Sequence, residues 1–120
     1  MGKKVAGICY IKVDGTQLEV KGNIECPLAP TSKETVMGLN GVAGYKETAK
    51  RPFTKLDAIF TSDFPISLLQ NGTAMTITSE MANGKVYTLT SAWLEGDGND
   101  VNAEEGSISL EFSGVTGFWQ

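Results

Sequence analysis

The stretch TAMTITSEMANGKVYTLTSAW, residues 73–93, carries the pattern on which the fold prediction depends. Large apolar side chains recur at alternate positions, and threonine or glutamate fills most positions between them. Alternation with a period of two is typical of β-strands that bury one face. The apolar positions are Met75, Ile77, Met81, Tyr87, Leu89 and Trp93, and the polar ones are Thr76, Thr78, Glu80, Thr88 and Thr90. The stretch therefore predicts two strands with an apolar inner face and a hydroxyl-rich outer face.

The turn between these strands is predicted from the pairing that each possible loop produces. A two-residue loop at Asn83-Gly84 would set apolar side chains opposite polar ones. A three-residue loop over 82–84 instead pairs Ile77 with Leu89 and keeps the apolar faces together. Such a loop is a type I turn that ends in a left-handed residue, a conformation that glycine adopts easily. We therefore predict a bulged hairpin.

A second hairpin is predicted over ICYIKVDGTQLEVK, residues 8–21. Asp14-Gly15 is the residue pair that a two-residue type I′ turn favours. This turn places the large apolar residues on one face, so turn chemistry and hydrophobic pattern agree. The predicted pairs are Val13 with Thr16, Ile11 with Leu18 and Cys9 with Val20.

Two further runs show strand alternation. In SISLEFS, residues 107–113, the polar side chains Ser107, Ser109 and Glu111 face outward. The run FTKLDAIFT, residues 53–61, places Leu56 on its inner face. Together with the two hairpins, these runs predict a mainly β fold of two packed antiparallel sheets, resembling a sandwich or a barrel.

One short helix is predicted over SDFPISLLQNG, residues 62–72. Ser62 or Asp63 is the expected N-cap, Pro65 falls in the first turn and Gly72 follows the last. A helix of about two turns is held only by packing against the rest of the fold.

Residues 22–50 and 95–106 lack strong periodicity and are predicted to be loops. A loop of nearly thirty residues is unusual in a compact domain unless it binds something. The longer segment also contains apolar side chains that a solvated loop would not keep exposed. These are Val36, Met37, Leu39, Val42 and Tyr45.

The residues that catalysis or metal binding would need are missing from the sequence. There is no histidine, so neither a Ser-His-acid triad nor a Cys-His pair can form. Zinc sites need histidine or closely spaced cysteines, and the chain holds only Cys9 and Cys26, which we expect to be buried thiols. No enzymatic activity, metal or cofactor is therefore predicted.

Charge is distributed unevenly along the 120 residues, whose length suits one domain. The net charge is −4, with nine basic and six acidic residues in 1–60 but one lysine and eight acidic residues in 61–120. An acidic chain argues against tight DNA binding, which needs a basic surface. The sequence shows no export signal and no membrane-spanning segment, so we expect synthesis in the cytoplasm without a membrane anchor.

The chain ends in GFWQ, which places Phe118 and Trp119 near its C-terminus. Aromatic side chains are costly to leave in water. Two alternatives follow: these residues fold back on the core of their own chain, or they bury against a neighbouring one.

Several segments together resemble a tail tube protein of Mu-like contractile-tailed phages. They are AGICYIKVDGTQLEVKGNIECPL, KETVMGLNGVAGYKET, FTSDFPISLLQNGTAMTITSEMANGKVYTLTSAWL and EGSISLEFSG, in this order. The resemblance runs through nearly the whole chain. None of the segments is a catalytic signature, and it is their combination that is specific.

The resemblance implies that six copies form a ring in which one sheet of each copy joins a continuous inner β-barrel. Rings stack into a tube inside a contractile sheath, and DNA passes through the lumen without specific binding. The implied partners are further copies of the chain, the tail sheath protein, and the baseplate and tail terminator proteins. The location implied is the virion tail, after synthesis in the host bacterial cytoplasm, and the family has no enzymatic activity.

A channel for DNA should be wet and free of basic side chains that would retain phosphates. We therefore predict that one of two hydroxyl-rich faces lines the lumen. One face comprises Thr76, Thr78, Glu80, Thr88 and Thr90, and the other comprises Ser107, Ser109 and Glu111. Solvent-facing exteriors would look the same in sequence.

Contacts between subunits and rings are predicted for the long 22–50 segment and the two terminal aromatics. On this interpretation residues 1–120 form a single tail tube domain with a long assembly loop at about 22–50. The candidate contact residues are Val36, Met37, Leu39, Val42, Tyr45, Phe118 and Trp119. The charge asymmetry suggests that a basic surface meets an acidic one when rings stack.

Two alternatives stay open at this point. Tubes of type VI secretion systems and R-type pyocins are built similarly, so the chain could be a subunit of one of those. A monomeric β-sandwich that binds a ligand such as carbohydrate would need an exposed aromatic platform. The alternation places Tyr87 and Trp93 on the core face, which counts against that function.

Overall fold

The computed structural model describes residues 9–96 and 99–120, with only the backbone of Cys9. Residues 1–8, to which the expectation of no export signal refers, lie outside this part, as does the predicted buried thiol of Cys9. The described chain forms mainly β-strands with one short helix. The strands are β1 Cys9–Val13, β2 Thr16–Leu18, β3 Val20–Glu25, β4 Thr31–Gly38, β5 Gly41–Ala49, β6 Phe53–Ile59, β7 Met75–Met81, β8 Val86–Leu94, β9 Val101–Asn102, β10 Ser107–Ser113 and β11 Thr116–Trp119, and the helix α1 is Ile66–Asn71.

Apart from β4 and β5, the strands form two antiparallel sheets that share β8. The first sheet has the order β2-β1-β7-β8-β11. The second sheet contains β3, β6 and β10, and β10 also pairs with β9 and with the end of β8. The predicted mainly β fold of two antiparallel sheets with one short helix is therefore confirmed, while the hexameric ring remains a prediction.

A core of apolar side chains from both sheets lies between them. Each strand contributes alternate residues, as the period-two pattern requires. The largest fully buried side chains include Phe112, Ile11, Leu56, Met75, Ile77 and Leu89. The helix adds Leu69 to the same cluster.

The bulged hairpin predicted for residues 73–93 is confirmed. Ile77 pairs with Leu89. The N–H of Met81 donates to the carbonyl of Lys85 at 2.9 Å, which closes the three-residue loop. Gly84 has φ of 90°, the left-handed conformation that the loop needs.

The Asp14-Gly15 turn is also confirmed, with φ of 49° and 86° at the two residues. The predicted pairing of Cys9 with Val20 is wrong. Val20 lies opposite Ala58 of β6, because the chain leaves the first sheet after Leu18 and enters the second. The apolar pattern did not reveal this crossing, since an inward-facing valine is buried equally well by either sheet.

Trp93 does not lie on the core face, contrary to the alternation. Ser91 adopts a φ of 51° and inserts an extra residue between the pairs Ile77–Leu89 and Met75–Ala92. This β-bulge reverses the faces, so that Ala92 is completely buried and Trp93 is 37% exposed. The placement of Trp93 in the core is therefore wrong.

The helix begins later than predicted. Pro65 is the N-cap, and it contributes no side-chain hydrogen bond. A residue before proline disfavours the helical conformation, so Phe64 cannot belong to the helix. Neither Ser62 nor Asp63 is therefore the cap, and the Asp63 carboxylate accepts a hydrogen bond from Thr61 Oγ1 at 2.6 Å. Gly72 follows the helix as predicted.

Most of the 22–50 segment is not an irregular loop. Strands β4 and β5 form a hairpin, residues 31–49, that pairs only with itself, and we call it the arm. Almost all of its residues are exposed on both faces, which explains why its sequence shows no apolar–polar alternation. The arm extends the molecule, whose radius of gyration is 17.1 Å, against roughly 14 Å for a compact domain of this length.

Truncating Phe112 should test the position of the core. Phe112 is fully buried, so Phe112→Ala should lower the free energy of unfolding by about 3–5 kcal/mol. Phe118→Ala is the matched control, because Phe118 is 42% exposed, and it should cost less than about 1 kcal/mol. Urea unfolding at low protein concentration measures both. Equal losses would contradict the assignment of the core.

Candidate assembly surfaces

The outer face of the first sheet presents a stripe of hydroxyl groups. Thr78 lies directly opposite Thr88, and Thr90 lies opposite Thr116. The first predicted lumen set, Thr76, Thr78, Glu80, Thr88 and Thr90, faces away from the core on these strands. Threonine suits such a position because its branched side chain favours a strand and its hydroxyl remains hydrated.

Charge is sparse on this face. Lys12 and Glu80 lie 3.9 Å apart, and both side chains are about half exposed, so the pair contributes little to stability. Tyr10 lies opposite Glu80, and Phe118 lies opposite Thr88. Exposed aromatic side chains thus border the stripe, and Lys12, which lies opposite Thr78, is a basic neighbour paired with Glu80.

The second predicted lumen set lies on the outer face of the second sheet and differs in character. Ser107 is half-buried there. The Glu111 carboxylate accepts a hydrogen bond from Arg51 Nη2 at 2.8 Å, and Arg51 also donates to Ser113 Oγ. Ser109 Oγ donates to Asp57 Oδ1 at 2.8 Å. These polar groups hold one another in place, so this face is a charged network rather than a free hydroxyl surface.

Asp57 is the centre of that network. Asn23 Nδ2 donates to Asp57 Oδ2 at 2.6 Å. This hydrogen bond, followed by the one from Ser109 and by the positive charge of Lys21, holds the pKa of Asp57 below its ordinary value, while partial burial opposes the shift. The carboxylate therefore links β3, β6 and β10 in its ionised form.

The five apolar residues predicted for contacts, Val36, Met37, Leu39, Val42 and Tyr45, all lie in the arm. Leu39, in the turn between the strands, is fully exposed. Closer to the body, Lys33 lies 5.2 Å from the Tyr45 ring centroid, and Lys46 lies 3.4 Å from the Glu34 carboxylate. A tip of apolar side chains in water is the kind of surface that marks an interaction site.

The structure separates the two C-terminal aromatics. Trp119 packs on Tyr87 with ring centroids 5.0 Å apart, and its Nε1 donates to the carbonyl of Pro27 at 2.9 Å. A Cβ at position 117 would collide with the Tyr87 ring, so Gly117 allows this approach. Trp119 thus folds back on its own chain, whereas Phe118 points outward.

The sequence analysis did not identify the charged residues that face each other across the two strands of the arm. Lys33 faces Glu47, and Glu34 faces Lys46, across the two strands. A bulge between the pairs Val36–Gly44 and Met37–Val42 brings these opposite charges together. Counting outward from the Gly38–Gly41 pair without the bulge would place Lys33 opposite Lys46, so the sequence contains no clear signal of this pairing.

In residues 9–96 and 99–120, no group of three or more side chains is arranged to hold a metal ion. No helix in the same described part is long and apolar enough to cross a membrane.

Neutralising Asp57 should test the polar network. Asp57→Asn should lower the free energy of unfolding by about 1 kcal/mol at pH 6. Because the folded-state pKa lies below the ordinary 3.8, the stabilisation is complete above 3.8 and disappears as pH falls through the lower folded-state value. Unfolding by urea between pH 2 and 7 measures this. Asp100→Asn, on an exposed loop, controls for loss of one charge, and a pH-independent difference would contradict the assignment.

Comparison with known proteins points to one family. The phage tail tube protein family matches residues 2–119, which is nearly the whole chain. Among solved structures, Hcp1 from Flavobacterium johnsoniae has a similar fold, with a TM-score of 0.57 and 12% sequence identity, over 94% of each chain. At this identity the similarity concerns the fold alone. No match was found among the curated proteins.

The family match confirms the resemblance noted in the sequence at the level of tail tube proteins, and the Mu-like subgroup stays a prediction. Proteins of this family are structural subunits of the phage tail that assemble into tubes. The exposed strand faces and the apolar arm fit such a subunit. This chain belongs to the phage tail tube protein family.

Proposed function

We propose that this chain forms hexameric rings that stack into the tube of a Mu-like contractile tail. The observation that carries the proposal is the outer face of the first sheet, whose described residues are hydroxyl-rich with little charge and lie between the edge strands β2 and β11. Such a face suits the wall of a water-filled bore. DNA would pass through it without specific binding, because the described residues of this face include no row of basic side chains that would retain phosphates.

Ring closure would pair the edges of the first sheet. Among the described residues β2 and β11 border that sheet, and neither strand carries a lysine or an inward-pointing charge that would prevent pairing. A head-to-tail arrangement of identical chains closes into a ring when the rotation between copies divides a full turn. The edges then disappear into one continuous inner β-barrel.

The first sheet is the better candidate for the lumen. Ser109 and Glu111 of the second sheet are already bonded to Asp57 and Arg51, and Lys55 is exposed beside them. A mixed-charge surface of this kind fits the outside of the tube, where the tail sheath protein would contact it. The first predicted set, Thr76 to Thr90, would therefore line the bore.

The arm would provide contacts between rings as the projecting part of a single 1–120 domain. Phe118 would contribute at the bore-side edge, and Trp119 would position β11 for pairing with the next copy.

The baseplate and tail terminator proteins would cap the two ends of the tube. The chain would act without catalysis, cofactor or membrane anchor and would be made in the host bacterial cytoplasm.

A tube subunit of a type VI secretion or R-type pyocin-like system is the second candidate, because the same fold and surfaces serve it equally. A monomeric ligand-binding sandwich gains one argument from the exposed Trp93, whose Nε1 donates to Glu95 at 3.3 Å. A single aromatic ring beside a carboxylate is not the platform that such binding needs. Electron microscopy of concentrated protein distinguishes a tube subunit from a monomeric binding domain. A protein that stays monomeric at high concentration would contradict the tube proposal.

Shortening the arm should abolish tubes without unfolding the body. Replacing residues 36–44 by Asn-Gly keeps Thr35 opposite Tyr45 and supplies a favoured hairpin turn. We expect an unchanged urea midpoint, because the removed residues are exposed, together with loss of stacked tubes by negative-stain microscopy. Replacing Asn40 alone by Ser is the control. Normal tubes from the shortened chain would exclude the arm from assembly.

Cysteine labelling should identify the face that lines the bore. Thr88→Cys should react with a bulky polyethylene glycol maleimide in free subunits and become protected in assembled tubes. Ser109→Cys, on the second sheet, should react in both states, and the wild-type chain measures the background from Cys9 and Cys26. Gel shifts report the labelled fraction. The reverse pattern would place the second sheet in the lumen.

A further inference from the structure

An apolar pocket lies at the end of the body opposite to the arm. Strand β6 begins at Phe53, near the base of the arm, and ends at Ile59, beside the pocket. The pocket has a volume of about 250 Å³. Its lining includes Phe60, Phe64, Ile66, Leu69, Leu94 and Val101.

This pocket is open at its rim. Phe60 and Phe64 pack with their ring centroids 5.1 Å apart. Ile66 and Val101 line the pocket and are each 46% exposed. Exposed apolar side chains around a concave site are the usual mark of a surface that another chain covers.

The same chain carries an apolar projection that could fill such a pocket. Leu39 at the tip of the arm is fully exposed, and Met37 and Val42 on either side of it are mostly exposed. Strand β4 has eight residues, so the arm extends roughly 26 Å from its base. The arm is therefore long enough for its tip to lie beyond the two packed sheets of its own chain.

Charge differs between the two ends. The arm and its base, residues 31–51, carry Lys33, Lys46, Lys50 and Arg51 against two glutamates. The pocket end carries Asp63, Asp100, Glu104 and Glu105 beside or close to pocket residues in the chain. Among the described side chains there, Lys21 lies 3.5 Å from Glu105 and offsets one of these charges. The arm itself is neutral, because Lys33 faces Glu47 and Glu34 faces Lys46, so its contact with the pocket would depend on the apolar side chains of both surfaces.

We propose that Leu39 of each copy inserts into this pocket of a second copy of the chain in the adjacent ring. The inference rests on the proposed tube and specifies how its rings are joined. Copies within a ring would meet along strand edges, whereas the arm and the pocket lie at opposite ends of the strands. Two different surfaces at opposite ends repeat without closing, which builds a filament.

A disulfide between the two surfaces tests the contact directly. Leu39→Cys subunits are mixed with Val101→Cys subunits, assembled and oxidised, and the products are separated without reductant. Disulfide-linked dimers are expected from the mixture and from neither variant alone. Leu39→Cys mixed with Ser109→Cys is the matched control, and the wild-type chain shows what Cys9 and Cys26 contribute. Dimers formed as readily with Ser109→Cys would overturn the proposal.

Charged substitutions provide a second measurement. Leu39→Asp and Val101→Asp should each raise the concentration needed for tubes about tenfold or more, because either one places a carboxylate in the apolar contact. Val115→Asp changes an apolar residue outside both surfaces, whose exposure of 68% lies between those of Leu39 and Val101, and should leave that concentration unchanged. All three positions are exposed, so the urea midpoint of the subunit should not move. Tubes of Leu39→Asp at the wild-type concentration would refute the contact.

The two levels of the proposal fail differently. If the wild-type chain stays monomeric at every concentration, the tube function itself is wrong. If wild-type tubes form but Leu39→Cys and Val101→Cys subunits give no dimers on oxidation, the tube stands and only this contact is wrong.

Discussion

Strand β8 belongs to both sheets, and the backbone of Ser91 makes this possible. Its left-handed φ of 51° inserts a bulge that turns the strand from the first sheet toward the second. Because Ala92 then replaces Trp93 on the inner face, a small side chain occupies that position of the core and Trp93 is 37% exposed. The two outer faces, the open edges and the position of the helix all follow from that bulge.

The two outer faces differ in chemistry, although the strands of both sheets show the same apolar–polar alternation. The first is hydroxyl-rich with a single weak ion pair, whereas the second is a network centred on Asp57 and Arg51. Ser109 and Glu111 are hydrogen-bonded to charged side chains, whereas Thr78 and Thr88 lie opposite each other in the first sheet. Similar polar residues therefore make different surfaces, because their cross-strand partners differ. This contrast is what favours the first sheet as the wall of a channel.

The arm and the pocket illustrate how an assembling subunit manages exposed apolar surface. A monomer would hide Leu39 or replace it with a polar residue, since such side chains promote uncontrolled association. Here the tip lies far from its own body and the matching pocket lies at the other end. In the proposed contact, the tip of one chain would be covered by the pocket of another, so a stack of chains would bury both surfaces.

Much of the fold could be predicted from local pattern. Alternation together with the Asp14-Gly15 and Gly84 turns determined both hairpins, the register next to each turn and inward residues such as Ile77 and Leu89, because turn geometry and side-chain period are local properties. Tertiary structure decided the rest: the bulge at Ser91, the crossing of β3 to the second sheet, and the pairing of β4 with β5. The bulge and the crossing depend on which distant backbone groups become hydrogen-bond partners, and apolar alternation carries no information about that choice. Strands β4 and β5 pair locally, but both their faces are exposed, so they show no alternation.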